Sequence, residues 1–169
     1  MSENNGARSG GRIRLPLLDR LLDADPAAPV DPPVTVPYAV EMLRQAVRRD
    51  LETLLNARRR RVPLPAGLAA LPTSPLGYGI PDPTAGSFTE DERREALAAE
   101  VEAAVRRFEP RLMNVRVSLA KSPKDKGDLI DRTLRLRVEA VLRSDPLPEQ
   151  ISFETHLRPV TLDVAVRES

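Results

Sequence analysis

Two oppositely charged residues, Glu109 and Arg111, flank Pro110 in the second half of the chain. Side chains two positions apart on an extended segment point the same way, so we expect this acid and this base to project together from a rigid corner. A carboxylate and a guanidinium held side by side suit docking to another protein. The same carboxylate is also the most tempting candidate for the acid of a hydrolase.

Glycoside hydrolysis requires two carboxyl groups at a defined separation, one of them protonated so that it can act as an acid. An arginine two residues from Glu109 favours the charged form of a carboxylate over that protonated form. No motif marks a second acid, although 25 acidic residues leave spatial pairing open. A surface ion pair of little energetic weight is the third interpretation. The residues alone do not decide between docking and a surface ion pair, and a cell-wall hydrolase is the less favoured alternative.

The sequence offers few residues for other kinds of catalysis, for metal binding or for phosphate binding. The chain has no cysteine and one histidine, which excludes disulfides, thiolate metal sites and cysteine-based catalysis. His156 falls in a predicted strand, on the face opposite Phe153 and Leu157, and a general base would also need a positioned substrate. The Gly77–Gly79 turn follows no strand-to-helix pattern and does not resemble a phosphate cradle. We assign no catalytic residue, no metal site and no cofactor.

The arginine cluster at residues 58–61 has three interpretations. Basic residues at a helix C-terminus complement the helix dipole, which is the interpretation we prefer; a protein contact and nucleic-acid binding are the others. Lys and Arg total 26 against 25 acidic residues, so the overall charge gives no reason to expect nucleic acid as a partner. No apolar run approaches the roughly 20 residues of a membrane span, and no signal-peptide pattern opens the chain. A cytoplasmic location without membrane insertion is expected.

The corner lies where a helix gives way to a strand. The capping-box pattern of residues 89–92 predicts the start of a helix whose apolar stripe ends at Phe108. Because Pro110 disfavours helical geometry in the residue before it, we expect Glu109 to be the last helical residue or already extended. An earlier apolar period predicts a helix from Pro37 to about Arg60. Residues 62–83, which contain six prolines, are expected to form an ordered, irregular loop anchored by Leu, Tyr and Ile.

Alternating apolar residues after the corner predict four strands. Their inward residues are expected to be Met113, Val115, Val117 and Leu119; Leu134, Leu136, Val138, Ala140 and Leu142; Ile151, Phe153 and Leu157; and Leu162, Val164 and Val166. No helix separates these strands, and parallel neighbours would need long crossovers, so antiparallel pairing is favoured. We predict an α+β fold in which two main helices pack on one face of a mostly antiparallel four-stranded sheet.

An extended N-terminal segment, residues 1–36, is expected to precede a single α+β domain at residues 37–169. Leu17, Leu18 and Leu21 belong to a short amphipathic helix, and a run of prolines between residues 26 and 33 forms a semi-rigid spacer. Such a short helix is marginal by itself, so these leucines need a partner surface. That surface is either the chain's own domain or, as we prefer, another subunit.

Four blocks of the chain resemble one protein family, and the resemblance extends over roughly residues 15–166. The blocks are Leu17-Leu18-Asp19-Arg20-Leu21, residues 47–58, residues 74–82, and Arg107-Phe108-Glu109-Pro110-Arg111-Leu112. The chain resembles TssE, the small baseplate wedge subunit of bacterial type VI secretion systems, which is similar to a small wedge protein of contractile phage tails. The Glu-Pro-Arg triplet is the specific marker.

The resemblance implies a noncatalytic subunit of a contractile injection machine. Its implied partners are two larger baseplate wedge subunits of the TssF and TssG type, other baseplate proteins and contractile sheath subunits. Glu109, Pro110 and Arg111 are implied to contact the helical bundle of the larger wedge subunits, and the sheet to help nucleate the sheath by edge-strand addition. A lysozyme-like label attached to such proteins is the source of the muramidase alternative, and the residues give it no support.

Overall fold

The computed structural model describes residues 16–22, 27, 34–60, 62–65, 67–82, 91–120, 134–144, 147–157 and 164–168. Its helices are α1 (Leu17–Leu21), α2 (Val36–Asn56) and α3 (Asp91–Phe108), and its strands are β1 (Leu112–Leu119), β2 (Leu134–Leu142), β3 (Glu149–Leu157) and β4 (Val164–Glu168). Short 3₁₀ helices at Leu71–Thr73 and Pro75–Gly77 lie between α2 and α3. None of the described helices is long and apolar enough to cross a bilayer.

The strands form an antiparallel meander in the order β1-β2-β3-β4, which confirms the predicted α+β class. Helix α3 packs near β1 and α2 near β4, and the two helices also contact each other. The predicted inward residues of β2 are all buried, as are Ile151 and Phe153 of β3 and Val164 and Val166 of β4. Leu162 lies outside the described residues. One aliphatic core thus fills the space between helices and sheet.

Strand β1 departs from the predicted alternation at its start. Met113 was expected to face inward, but it is only partly buried, whereas Leu112 is buried. The register with β2 shifts between Met113 and Arg116, and Asn114 adopts a φ of 52°. A β-bulge places one extra residue in the strand, so the side chains before it change faces; asparagine tolerates the left-handed backbone that this requires.

Helix α2 begins one residue before the prediction and ends four residues earlier than Arg60. Asn56 is its last residue, and Ala57 is already extended. Arg58 Nη1 donates a hydrogen bond to the Leu55 carbonyl oxygen at 2.7 Å, so it satisfies a helix C-terminal acceptor although it lies outside the helix. The capping box before α3 lies partly outside the described residues, and the division into residues 1–36 and 37–169 stays a prediction.

The loop after α2 is fixed to the end of that helix. The Ile80 N–H donates to the Ala57 carbonyl oxygen at 3.0 Å, and the Ile80 side chain is fully buried. Tyr78 is partly buried against Phe108, with ring centroids 5.2 Å apart in an edge-to-face arrangement. Ile80 and Tyr78 therefore anchor the loop as predicted. Leu76 does not, because it is exposed.

Gly79 is the residue that permits this close approach. Its φ is 99°, and a Cβ at this position would lie 2.5 Å from the Ala57 carbonyl oxygen. We expect Gly79→Ala to lower the free energy of unfolding by about 2–4 kcal/mol, because strain and steric overlap add together. Urea unfolding measures the change. Gly67→Ala is the matched control, since a Cβ there would have nothing within 4 Å; equal stability of the two variants would contradict the prediction.

The outer edge of β4 is capped by a side chain from α2. The Asn56 Nδ2 donates to the Val164 carbonyl oxygen at 3.0 Å, and the Val164 N–H donates to Asn56 Oδ1 at 2.9 Å. The amide side chain thus bonds Val164 as the peptide group of a neighbouring strand would. Edge strands otherwise present unpaired donors and acceptors to other chains.

The outer edge of β1 is capped in the same way by α3. The Val117 N–H donates to Glu102 Oε2 at 2.9 Å, and Arg106 Nη2 donates to the Val115 carbonyl oxygen at 2.8 Å. Glu102 and Arg106 also form an ion pair at 2.7 Å, one helical turn apart. Each edge of the sheet therefore carries a hydrogen-bonded cap at one point along its length.

Candidate functional site

The Glu-Pro-Arg corner (Glu109, Pro110 and Arg111) begins where α3 ends. Phe108 is the last helical residue, as Pro110 predicts, and Pro110 itself is exposed. Glu109 is only 3% exposed. The expectation that both charged side chains project from the surface is therefore wrong for Glu109. A buried carboxylate needs compensation, and the turn at Pro110 brings Arg111 back to supply it.

Arg111 holds Glu109 through several hydrogen bonds. Its Nε donates to Glu109 Oε1 at 2.6 Å, its Nη2 bonds Oε2, and its backbone N–H donates to Oε1 at 3.2 Å. Nη2 also donates to Asp50 Oδ2, at 2.6 Å. The hydrogen bond to Glu109, together with those to Asp50 and the attraction of both carboxylates, raises the pKa of the guanidinium above its usual value despite its partial burial. Arg111 is a fixed cation whose side chain remains 28% exposed.

Asp50 is the member of this site that the residue-by-residue reasoning missed. It lies on α2, 61 positions before Arg111 in the chain, and spacing along the sequence cannot place it there. It does fall within residues 47–58, one of the blocks that carried the family resemblance. Its place in that block was the one indication in the sequence that Asp50 could belong to the site.

A cavity of about 370 Å³ opens beside the corner. Its apolar lining residues are Leu54, Tyr78, Phe108 and Pro110, and its charged lining residues are Asp50, Glu109 and Arg111. Burial raises the pKa of the Tyr78 phenol, and the charges of Asp50 and Glu109 add to that shift. An apolar recess with fixed charges beside it suits one large anchoring side chain from another protein.

The same geometry does not suit a glycosidase acid. A general acid must carry a proton within reach of substrate, whereas both carboxyl oxygens of Glu109 accept hydrogen bonds from Arg111 inside the protein. The nearby carboxylate, Asp50, is bonded to the same guanidinium. The arrangement holds two carboxylates around one guanidinium in the lining of a partly apolar cavity.

The N-terminal leucines form a second exposed feature. The short helix is confirmed, with its bounds at Leu17–Leu21, and it buries none of its residues fully. Leu17, Leu18 and Leu21 are 68%, 49% and 73% exposed; we call them the leucine face. Contiguous exposed apolar surface of this kind marks interaction sites. The roles of the leucine face and of the corner in partner binding stay predictions.

The other sequence candidates lie apart from the corner. His156 is partly buried on β3, on the face opposite Phe153, as predicted. Arg59 pairs with Glu100 of α3 at 2.9 Å, so part of the arginine cluster is engaged within the chain. Among the residues whose placement is described, no group of three or more His, Asp and Glu side chains could hold a metal ion.

Comparison with known proteins places the chain in a family. The family model described as baseplate wedge protein gp25 matches residues 41–147, a range that contains the corner, most of α2 and all of α3, β1 and β2. No curated protein and no solved structure matches the chain significantly. The matched range covers more than half of the chain, which therefore belongs to the gp25 family of structural baseplate wedge proteins.

Proposed function

We propose that this protein is a noncatalytic, cytoplasmic wedge subunit of a type VI secretion baseplate, of the TssE type. In this proposal it joins larger wedge subunits of the TssF and TssG type and links the baseplate to the contractile sheath. Membership of the gp25 family supports the structural role in a baseplate. The observation that carries the partner contact is the cavity at the Glu-Pro-Arg corner, with its apolar wall and fixed charges.

The corner acts as a preformed socket in this proposal. A helix of a larger wedge subunit places an apolar side chain in the cavity, against Tyr78 and Phe108, while the exposed part of Arg111 faces polar groups of the partner. Because Arg111 is already held by Glu109 and Asp50, little side-chain entropy is lost when the partner binds. Glu109 contributes by fixing Arg111 rather than by direct contact.

The link to the sheath is proposed to use an edge of the β-sheet. Strand addition needs free backbone groups, and both edges carry side-chain caps, so an incoming strand has to displace one of them. Arg106, in the cap on β1, is more than half exposed, and exposed ion pairs contribute little stability. We therefore favour β1 as the edge that receives a sheath strand.

Blocking the cavity tests the partner contact without touching the buried acid. We expect Pro110→Arg, which adds a long side chain at an exposed residue of the cavity lining, to weaken binding to the copurified larger wedge subunits about tenfold or more, because the anchoring side chain is excluded. Pro148→Arg is the matched control, since Pro148 is also exposed but lies before β3 and does not line the cavity. Titration of the partner complex gives the affinities. Wild-type affinity of Pro110→Arg would refute the assigned contact.

A further inference from the structure

Helix α1 sits on the domain with its polar side inward. Asp19 has a side chain that is only 9% exposed, whereas the leucine face points away from the domain. Asp19 Oδ1 accepts a hydrogen bond from Arg49 Nη1 of α2 at 3.0 Å. A five-residue helix has little stability of its own, so the contact with α2 determines where the leucine face points.

Arg49 continues this contact toward the corner. Its Nε donates to Asp50 Oδ1 at 3.3 Å, and the other oxygen of Asp50 accepts from Arg111, which holds Glu109. Five alternating charges, Asp19, Arg49, Asp50, Arg111 and Glu109, therefore run from α1 to the corner; we call them the ionic chain. The two features predicted to bind partners are connected by contiguous hydrogen-bonded ion pairs.

The chemistry of Arg49 suits this position. Its planar guanidinium presents donors in a fixed fork and bonds two carboxylates at once, which a lysine ammonium on a flexible stem does less well. The hydrogen bond to Asp19, together with the charges of Asp19 and Asp50, raises the pKa of the Arg49 guanidinium, which stays positively charged. Pairs that share members are coupled, so loss of Arg49 affects both α1 and Asp50.

The charge of the ionic chain also indicates which kind of partner residue would bind next to it. Three carboxylates and two guanidiniums leave one excess negative charge. Asp19 Oδ2 is buried and has no hydrogen-bond partner among the described residues. A basic side chain next to the apolar residues that cover the leucine face would complement the excess negative charge of the ionic chain.

We propose that Arg49 is a positioning residue that holds the leucine face and the Glu-Pro-Arg corner in fixed relative positions, so that one helical partner bearing apolar anchors and a flanking basic residue binds both. This inference rests on the proposed function, because the partner is a larger wedge subunit. Fixing α1 before binding removes the cost of ordering it in the complex, and engagement of two linked surfaces raises the overall affinity.

The first test uses the isolated 169-residue chain. Arg49→Met should make amide hydrogen exchange at residues 17–22 several-fold faster, because α1 loses its ion pair. Arg48→Met removes the same charge from the exposed neighbouring position and should leave exchange unchanged. Arg49→Lys should recover part of the protection, since an ammonium can still pair with Asp19. Equal exchange in Arg49→Met and Arg48→Met, or no recovery with lysine, would overturn the positioning role.

The second test measures affinity for the larger wedge subunits. Arg49→Met should weaken binding about tenfold, and serine substitutions on the leucine face should then have a smaller additional effect than in the wild-type background, because the leucines act through Arg49. Full additivity would overturn the inference while leaving the proposed function standing. If the wild-type chain fails to bind these subunits at all, the proposed function fails, and the exchange comparison still decides whether Arg49 holds α1.

Discussion

Replacing Leu17, Leu18 and Leu21 together by serine is expected to weaken binding to the larger wedge subunits about 100- to 1,000-fold. A leucine side chain that becomes fully buried contributes roughly 1.5–3 kcal/mol, and these three are already partly covered in the free protein. A combined loss of about 3–4 kcal/mol corresponds to the stated range. The free energy of unfolding should change little, because the substituted side chains pack against nothing in the core.

Affinity by titration and stability by urea unfolding are measured on the same variant. The chain offers a matched control in the triple replacement of Leu68, Leu76 and Leu147 by serine, since these leucines are also exposed but are not part of α1 and do not line the cavity. The control should bind as the wild type does. If both triple variants bind equally well, the leucine face is not the docking surface.

Glu109→Ala is expected to lower the free energy of unfolding by about 2–3 kcal/mol. The change removes the acceptor of the Arg111 Nε and of the Arg111 backbone N–H, and it leaves a void where a buried side chain was. Breaking a fully buried ion pair costs roughly 3–5 kcal/mol. We reduce this figure because Arg111 is partly exposed and keeps its hydrogen bond to Asp50.

Chemical unfolding of Glu109→Ala should be compared with that of Glu154→Ala. Glu154 of β3 forms a surface ion pair with Arg137 of the adjacent strand β2, and its removal should leave the unfolding midpoint nearly unchanged. If Glu109→Ala had the same unfolding midpoint as Glu154→Ala, the Glu-Pro-Arg corner would not be a stabilising element. Because Glu109 stabilises the fold, a loss of partner binding in a Glu109 variant could result from unfolding or from a lost contact. A substitution at Pro110 is therefore the better probe of the cavity.

The fold could be predicted from the sequence because its main signals are local. The two-residue period of β2 and the proline after α3 each determine structure within a few positions, and consecutive strands favour a meander. The bulge at Asn114 could not be predicted, since it depends on the register of β1 against β2. The early end of α2 has a similar cause: Ile80 pairs with the backbone just beyond the helix, and this is a tertiary contact.

The sequence predicted where the candidate site lies in the chain, but not the burial of Glu109 or the contact with Asp50. Its residues 109–111 were identified from a break in periodicity, which is visible in the chain itself. The inward turn of Glu109 depends on Arg111 folding back over it, and the participation of Asp50 depends on how α2 packs beside α3. The spacing of residues along the sequence does not reveal contacts between such distant segments. The exposure of the leucine face agrees with the preference for an external partner, whereas the burial of Asp19 was not anticipated.

Capping by Asn56 on one margin of the sheet and by Glu102 and Arg106 on the other has a consequence for the free subunit. The capped points at Val115, Val117 and Val164 leave fewer backbone groups free to pair with another copy of the chain, which disfavours edge-to-edge stacking of free subunits. In the proposed baseplate role, the number of bound copies would then be set by the binding sites on the larger wedge subunits, and not by self-association.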